Sequence, residues 1–154
     1  MDGSLPLRWA IVGSRYHAAV VDRLVASARS CLLGRGLPET SLDVLHVPGA
    51  FELPQAVAAL LGSRPAHRGV VAVGCVVRGD TPHFDYVCSE TSRGLMQVAL
   101  RSGVALGFGL LTCDTLQQAA DRAGGPQGDK GWEAASAAWD LADVLDVARR
   151  LGSG

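Results

Sequence analysis

The segment Gly69–Gly79, GVVAVGCVVRG, is apolar at almost every position, without the alternation of a strand that has one wet face. Such a run belongs at the centre of a parallel sheet covered on both sides. A parallel sheet requires crossover connections, and the rest of the chain supplies them. Arg8–Gly13 (RWAIVG), Leu42–Gly49 (LDVLHVPG) and Val104–Thr112 (VALGFGLLT) read as three more strands. Helical spacing fills the intervals: Ala19–Gly36, ELPQAVAALLG, FDYVCSETSRGLMQVALRSG, a short LQQAADRAGG ending at paired glycines, and a long C-terminal segment from Gly131. In that last helix Ala134, Ala138, Leu141, Leu145 and Ala148 form an apolar stripe, with Glu133, Asp140 and Asp143 on the wet side. The expected fold is α/β, a flavodoxin-like three-layer α/β/α sandwich around a four-stranded parallel sheet, in a single domain spanning residues 1–154. The segment before Arg8 is free to add a short N-terminal strand.

Charge and cysteine usage narrow the function. With a formal net charge of −1, the chain lacks the basic excess of a nucleic-acid binder. MDGSLPLRW does not read as a secretory leader, and no apolar run approaches the roughly 20 residues that span a bilayer. Cys31, Cys75, Cys88 and Cys113 are scattered, without zinc-ligand spacing, and read as reduced, buried thiols. No nucleic acid, membrane or metal is expected, and the expected location is cytoplasmic.

Ligands of parallel sheets bind outside the carboxyl ends of the strands. Three of the four ends here are chemically unusual. GSRYH follows the first strand and presents Tyr16 and His17; VPGAFELP follows the second and presents Ala50, Phe51 and Glu52. The third runs through Cys75, Val76 and Val77 into RGDTPH, where Gly79, Asp80 and Thr81 precede a helix start. Free N–H groups in such a turn seat phosphate, and an imidazole such as His83 moves protons near neutrality. Plainer readings compete: Asp80 or Thr81 as a helix N-cap, Pro82 in the first turn, Tyr16 and Phe51 as core packing, Cys75 as an inert thiol, Arg122 and Lys130 as solvated surface charge. The residues by themselves define an α/β domain for a small phosphorylated ligand.

Taken together, SRYH, VPGAFELP, GCVVRGDTPHFDYVC, FGLLT and DRAGG…GDKG resemble the lumazine synthase family in order and spacing, from about Arg8 to Leu145. The resemblance implies a transferase of riboflavin biosynthesis that uses no cofactor. It would condense 5-amino-6-(D-ribitylamino)uracil with 3,4-dihydroxy-2-butanone 4-phosphate, giving 6,7-dimethyl-8-ribityllumazine, phosphate and water. Tyr16 would stack on the pyrimidine; Ala50, Phe51 and Glu52 would hold the pyrimidine and ribityl chain; Cys75, Val76 and Val77 would meet its edge through backbone groups. Asp80 and Thr81 would line the phosphate seat, and His83 would transfer protons.

Phe108 and Arg122 would come from a neighbouring subunit, with Arg122 on the phosphate and Lys130 assisting. The resemblance therefore implies a homo-oligomer with its site at subunit interfaces: a pentamer, with an icosahedral capsid left open, and riboflavin synthase as a further candidate partner. His17, Cys75 and Asp80 depart from the commonest family residues. The competing reading is a non-catalytic relative that binds a lumazine or flavin or forms a shell; the presence of both His83 and Arg122 favours the enzyme.

Overall fold

A computed structural model describes residues 8–62 and 66–154. The elements run β1 (Arg8–Ser14), α1 (Ala18–Gly34), β2 (Leu42–Val47), α2 (Leu53–Leu61), β3 (His67–Val77), α3 (His83–Ser102), β4 (Ala105–Cys113), α4 (Leu116–Asp121), β5 (Ala123–Gly125), β6 (Gly128–Asp129) and α5 (Lys130–Gly152). Strands β1 to β4 form one parallel sheet in the order β2-β1-β3-β4. The expected three-layer sandwich is therefore present. The suggested N-terminal strand lies outside the described residues.

Alternation along the strands divides the core. Trp9, Ile11, Val71 and Val73 pack with α1 and α5 on one face of the sheet. Ala10, Val12, Val70 and Ala72 pack with Leu53 and Val57 of α2 and Leu95 of α3 on the other. The centre of β3 is buried on both sides, as its unbroken apolar run requires. Small residues set how closely the layers meet. A Cβ on Gly107 would stand 2.4 Å from the carbonyl oxygen of Ala134, so any larger residue would push α5 off β4.

Two details differ from the sequence reading. The stripe on α5 holds at Ala134 and Ala138, but continues through the buried Ala142 and the half-buried Leu145, while Leu141 and Ala148 are exposed. The helix read through to the paired glycines stops at Asp121. Residues 123–129 instead form a small antiparallel hairpin, β5–β6, with Ala123 opposite Asp129.

Candidate active site

The turns after β1 and β2 are tied together at their base. The Arg15 N–H donates to the Val47 carbonyl at 2.8 Å, and Tyr16 and His17 stand just beyond. His17 is left-handed, with φ 57° and ψ 52°, a conformation costing a non-glycine residue about 1–2 kcal/mol. Its carbonyl accepts from the N–H groups of Val20 and Val21, so the strained residue is where the chain bends into α1. The Tyr16 and His17 rings meet edge to face, with centroids 4.7 Å apart. Tyr16 is 70% exposed and Phe51 54%, which overturns the core-packing reading of both rings.

After β2, residues Ala50–Glu52 form a single 3₁₀ turn leading into α2. A Cβ on Gly49 would lie 3.2 Å from Glu52 Oε2, so glycine leaves this carboxylate room to fold back over the turn. Half-buried Glu52 stands beside the exposed Phe51 ring and the buried Ala50.

At the end of β3, the Arg78 N–H donates to the Cys113 carbonyl at 2.9 Å, fixing the last sheet bond before the chain turns through Gly79–Pro82. Pro82 occupies the N-cap of α3, one residue ahead of the expected first turn, and no side chain caps this helix. The reading of Asp80 or Thr81 as a side-chain N-cap is thus corrected. α3 therefore opens without a side-chain cap, an arrangement in which the first N–H groups of a helix are free for other acceptors. His83 is the first helical residue and is exposed.

These turns enclose a cavity of about 720 Å³. Its wall includes Tyr16, His17, Ala50, Phe51, Glu52, Cys75, Val76, Val77, Gly79, Thr81 and His83. Eleven strand-end residues from three separate stretches of sequence thus face one space. The Cys75 thiol is 2% exposed, and burial pushes its pKa up to about 12, with the neighbouring Cys113 adding to the rise. It sits in the wall as a neutral thiol, in line with its inert reading.

Four expected site residues do not line this cavity: Asp80, Phe108, Arg122 and Lys130. Phe108 projects from β4 and is 45% exposed. Arg122 and Lys130 are brought together at the base of the β5–β6 hairpin, where the Lys130 N–H donates to the Arg122 carbonyl at 2.8 Å. The Arg122 guanidinium reaches back to the Gln118 carbonyl at 3.0 Å, and Lys130 Nζ lies 3.3 Å from Glu133.

Sequence reasoning overlooked one wall altogether. Tyr86, Val87 and Glu90 also line the cavity, at three, four and seven residues beyond His83. That is the spacing of one helix face, so the signal was present once α3 was known to start at His83.

In an open parallel sheet the natural crevice lies where the strand order reverses, here between β1 and β3, and the cavity occupies that position. The chain is thus a small-molecule-binding α/β protein of flavodoxin-like architecture. Residues 6–146 match the family described as 6,7-dimethyl-8-ribityllumazine synthase. Proteins of that name are similar along most of their length. The one from Kineococcus radiotolerans is 51% identical over an alignment of 156 positions, covering 100% of this chain and 94% of the relative. The one from Nitratidesulfovibrio vulgaris (strain DP4) is 46% identical over 140 residues, 91% of this chain and 89% of the relative. The one from Aquifex aeolicus is 43% identical over 143 residues, 93% and 92% of the two chains. The chain belongs to the 6,7-dimethyl-8-ribityllumazine synthase family.

Proposed function

We propose that the chain is a 6,7-dimethyl-8-ribityllumazine synthase, a transferase of riboflavin biosynthesis acting on two small molecules. The observation that carries this reading is the convergence, on one cavity, of exposed aromatic rings, a carboxylate, an uncapped helix start and an imidazole. Tyr16 and Phe51 offer faces on which the pyrimidine of 5-amino-6-(D-ribitylamino)uracil stacks, and Glu52 accepts from ribityl hydroxyls. Backbone groups of Cys75, Val76 and Val77 meet the pyrimidine edge. The N–H groups of the turn at Asp80 and Thr81 hold the phosphate of 3,4-dihydroxy-2-butanone 4-phosphate.

The chemistry then needs protons moved more than it needs a strong nucleophile. The exocyclic amine attacks the ketone, an imine forms, phosphate leaves, and the ring closes; water is released along the way. His83, the first residue of α3 and open to the cavity, is placed to carry protons between these groups. Holding two substrates side by side lowers the barrier further, because a bimolecular encounter becomes intramolecular.

Phe108, Arg122 and Lys130 lie outside this cavity, which supports a site completed by a second copy of the chain. In this reading the protein is a homo-oligomer, a pentamer that can serve as the unit of a larger icosahedral shell. A neighbour's Phe108 closes over the pyrimidine, its Arg122 pairs with the phosphate, and Lys130 assists. Riboflavin synthase, which consumes the product, is the partner enzyme to test for association. Among the described residues no helix is long and apolar enough to cross a membrane.

The test mixes the purified oligomer with both substrates and follows lumazine fluorescence, with His83→Ala and Arg122→Ala alongside. Product formation that falls in both variants is expected. A folded, oligomeric wild type giving no product above the uncatalysed background would sink the enzyme reading.

A further inference from the structure

Arg78 stands immediately before the turn assigned to the phosphate, yet it is not among the residues that line the cavity and none of the site roles above uses it. Its side chain is held from three directions. Nε donates to Asp114 Oδ1 at 2.8 Å, across the end of β4. NH1 makes a longer bond of 3.4 Å to Asp85 Oδ1 in the first turn of α3. The guanidinium lies 4.4 Å from the ring centroid of Phe84, the residue next to His83. One planar fork therefore joins the end of β3, the end of β4 and the start of α3, a geometry that suits arginine and not lysine.

The turn needs such a fastening. No side chain caps α3, and after Arg78 the chain runs through Gly79, which a Cβ would find open on all sides. An exposed ion pair contributes little to global stability, so the value of this fork lies in where it holds the turn. Charge points the same way. Asp80 lies in the turn itself, Asp85 and Asp114 flank it along the chain, and Arg78 is the cation paired with the latter two.

We infer that Arg78 is a positioning residue for the phosphate-binding turn and His83, acting through Asp114, Asp85 and Phe84. This rests on the proposed synthase activity. In Arg78→Met the KM for the butanone phosphate is expected to rise about tenfold or more and kcat to fall severalfold. The KM for the ribitylaminouracil should stay within about twofold, because Tyr16 and Ala50–Glu52 hang from β1 and β2. The melting temperature should move by no more than about 4 °C.

Asp114→Ala separates position from charge. It cuts one arm of the fork and also removes a negative charge near the phosphate. A raised KM for the butanone phosphate supports positioning, whereas a lowered KM would show Arg78 acting only as a counter-charge and overturn the inference. Equal rises in both KM values for Arg78→Met, or a loss of stability with unchanged kinetics, would overturn it too. Orthophosphate binding to wild type and Arg78→Met, followed by phosphorus NMR, needs no turnover. If the wild type makes no lumazine the synthase reading fails, while weaker orthophosphate binding in the variant still supports the role of Arg78 and equal binding still removes it.

Discussion

The two ends of the sheet each gather a histidine and a carboxylate, and treat them in opposite ways. At the amino end His67 Nε2 lies 2.8 Å from Asp43 Oδ2, Arg8 Nε donates to the same oxygen at 3.0 Å, and the Arg8 NH2 pairs with Asp43 Oδ1. The His67 side chain is only 3% exposed. At the carboxyl end His83 is exposed, Glu52 is half-buried and both face an open cavity. Residues of similar chemistry thus form a cluster paired on itself at one end, with only His67 Nδ1 left over, and an unpaired set facing a cavity at the other. Polar groups turned on each other hold a fold together; polar groups turned on empty space await a ligand.

The largest effect should come from the open end. His83→Ala is expected to lower kcat by about 10²-fold while leaving the melting temperature close to wild type, since a positioned acid–base contributes at least that much. Residual activity should remain, because holding the substrates together does not depend on the imidazole. Steady-state kinetics beside a thermal melt would decide it. A large fall in melting temperature would mean that His83 belongs with His67 as a structural residue.

Next comes Arg122→Ala, expected to raise the KM for the butanone phosphate by about tenfold to a hundredfold, the range for one charge-assisted contact to phosphate. Mixing this variant with His83→Ala sharpens the test. If sites form between copies, mixed oligomers contain some sites with both residues intact and recover activity that neither variant has alone. No recovery after verified subunit exchange would place both groups in one chain's site.

Legibility in the sequence follows the same division. β3 could be read from Gly69–Gly79 because burial on both faces leaves a pattern with no competitor, and the strand-end turns could be read from glycine and proline. The β5–β6 hairpin could not, since strands of three and two residues carry no periodicity. On α5, tight packing against Gly107 favours alanine and the buried face runs on to Ala142, so a stripe stepped from Ala138 to Leu141 and Ala148 left that face. The Arg78 fork joins residues 36 positions apart, a distance that local spacing does not reach. Asp80 and Thr81 looked like caps because a capped and an uncapped helix start share one local sequence; only the geometry of α3 separates them.

The closed end yields a smaller effect, and on stability alone. Asp43→Ala leaves buried His67 Nε2 without its partner, at a cost of about 1–3 kcal/mol, with kcat unchanged, while Arg8 keeps its bond to the Thr40 carbonyl. The Arg8 hydrogen bond, helped by that from His67 and opposed by partial burial, holds the Asp43 carboxyl below the usual carboxylate range. A carboxyl whose pKa is lower folded than unfolded stabilises the fold above its unfolded value and loses that contribution as pH falls through the folded one. The stability gap between wild type and Asp43→Ala, measured by denaturant titration, should therefore be full at neutral pH and shrink below about pH 4. A gap independent of pH down to strong acid would mean that packing, not the ionised carboxylate, holds this cluster.

The smallest effect is expected where the two kinds of environment meet. Cys75 lines the cavity, yet its side chain is as buried as the core behind it. With its pKa pushed up to about 12, only about one molecule in 10⁵ carries a thiolate at pH 7, and a thiolate is what an alkylating reagent or a covalent mechanism requires. Iodoacetamide should therefore label the half-buried Cys88 ahead of Cys75 in the folded protein, as peptide mass mapping would show. Cys75→Ala should keep kcat within about twofold, because the contact proposed for this residue runs through its backbone. Rapid labelling of Cys75 with loss of turnover would move this sulfur from the wall to the chemistry, and would mean that the open character of the carboxyl end reaches one layer deeper than its burial indicates.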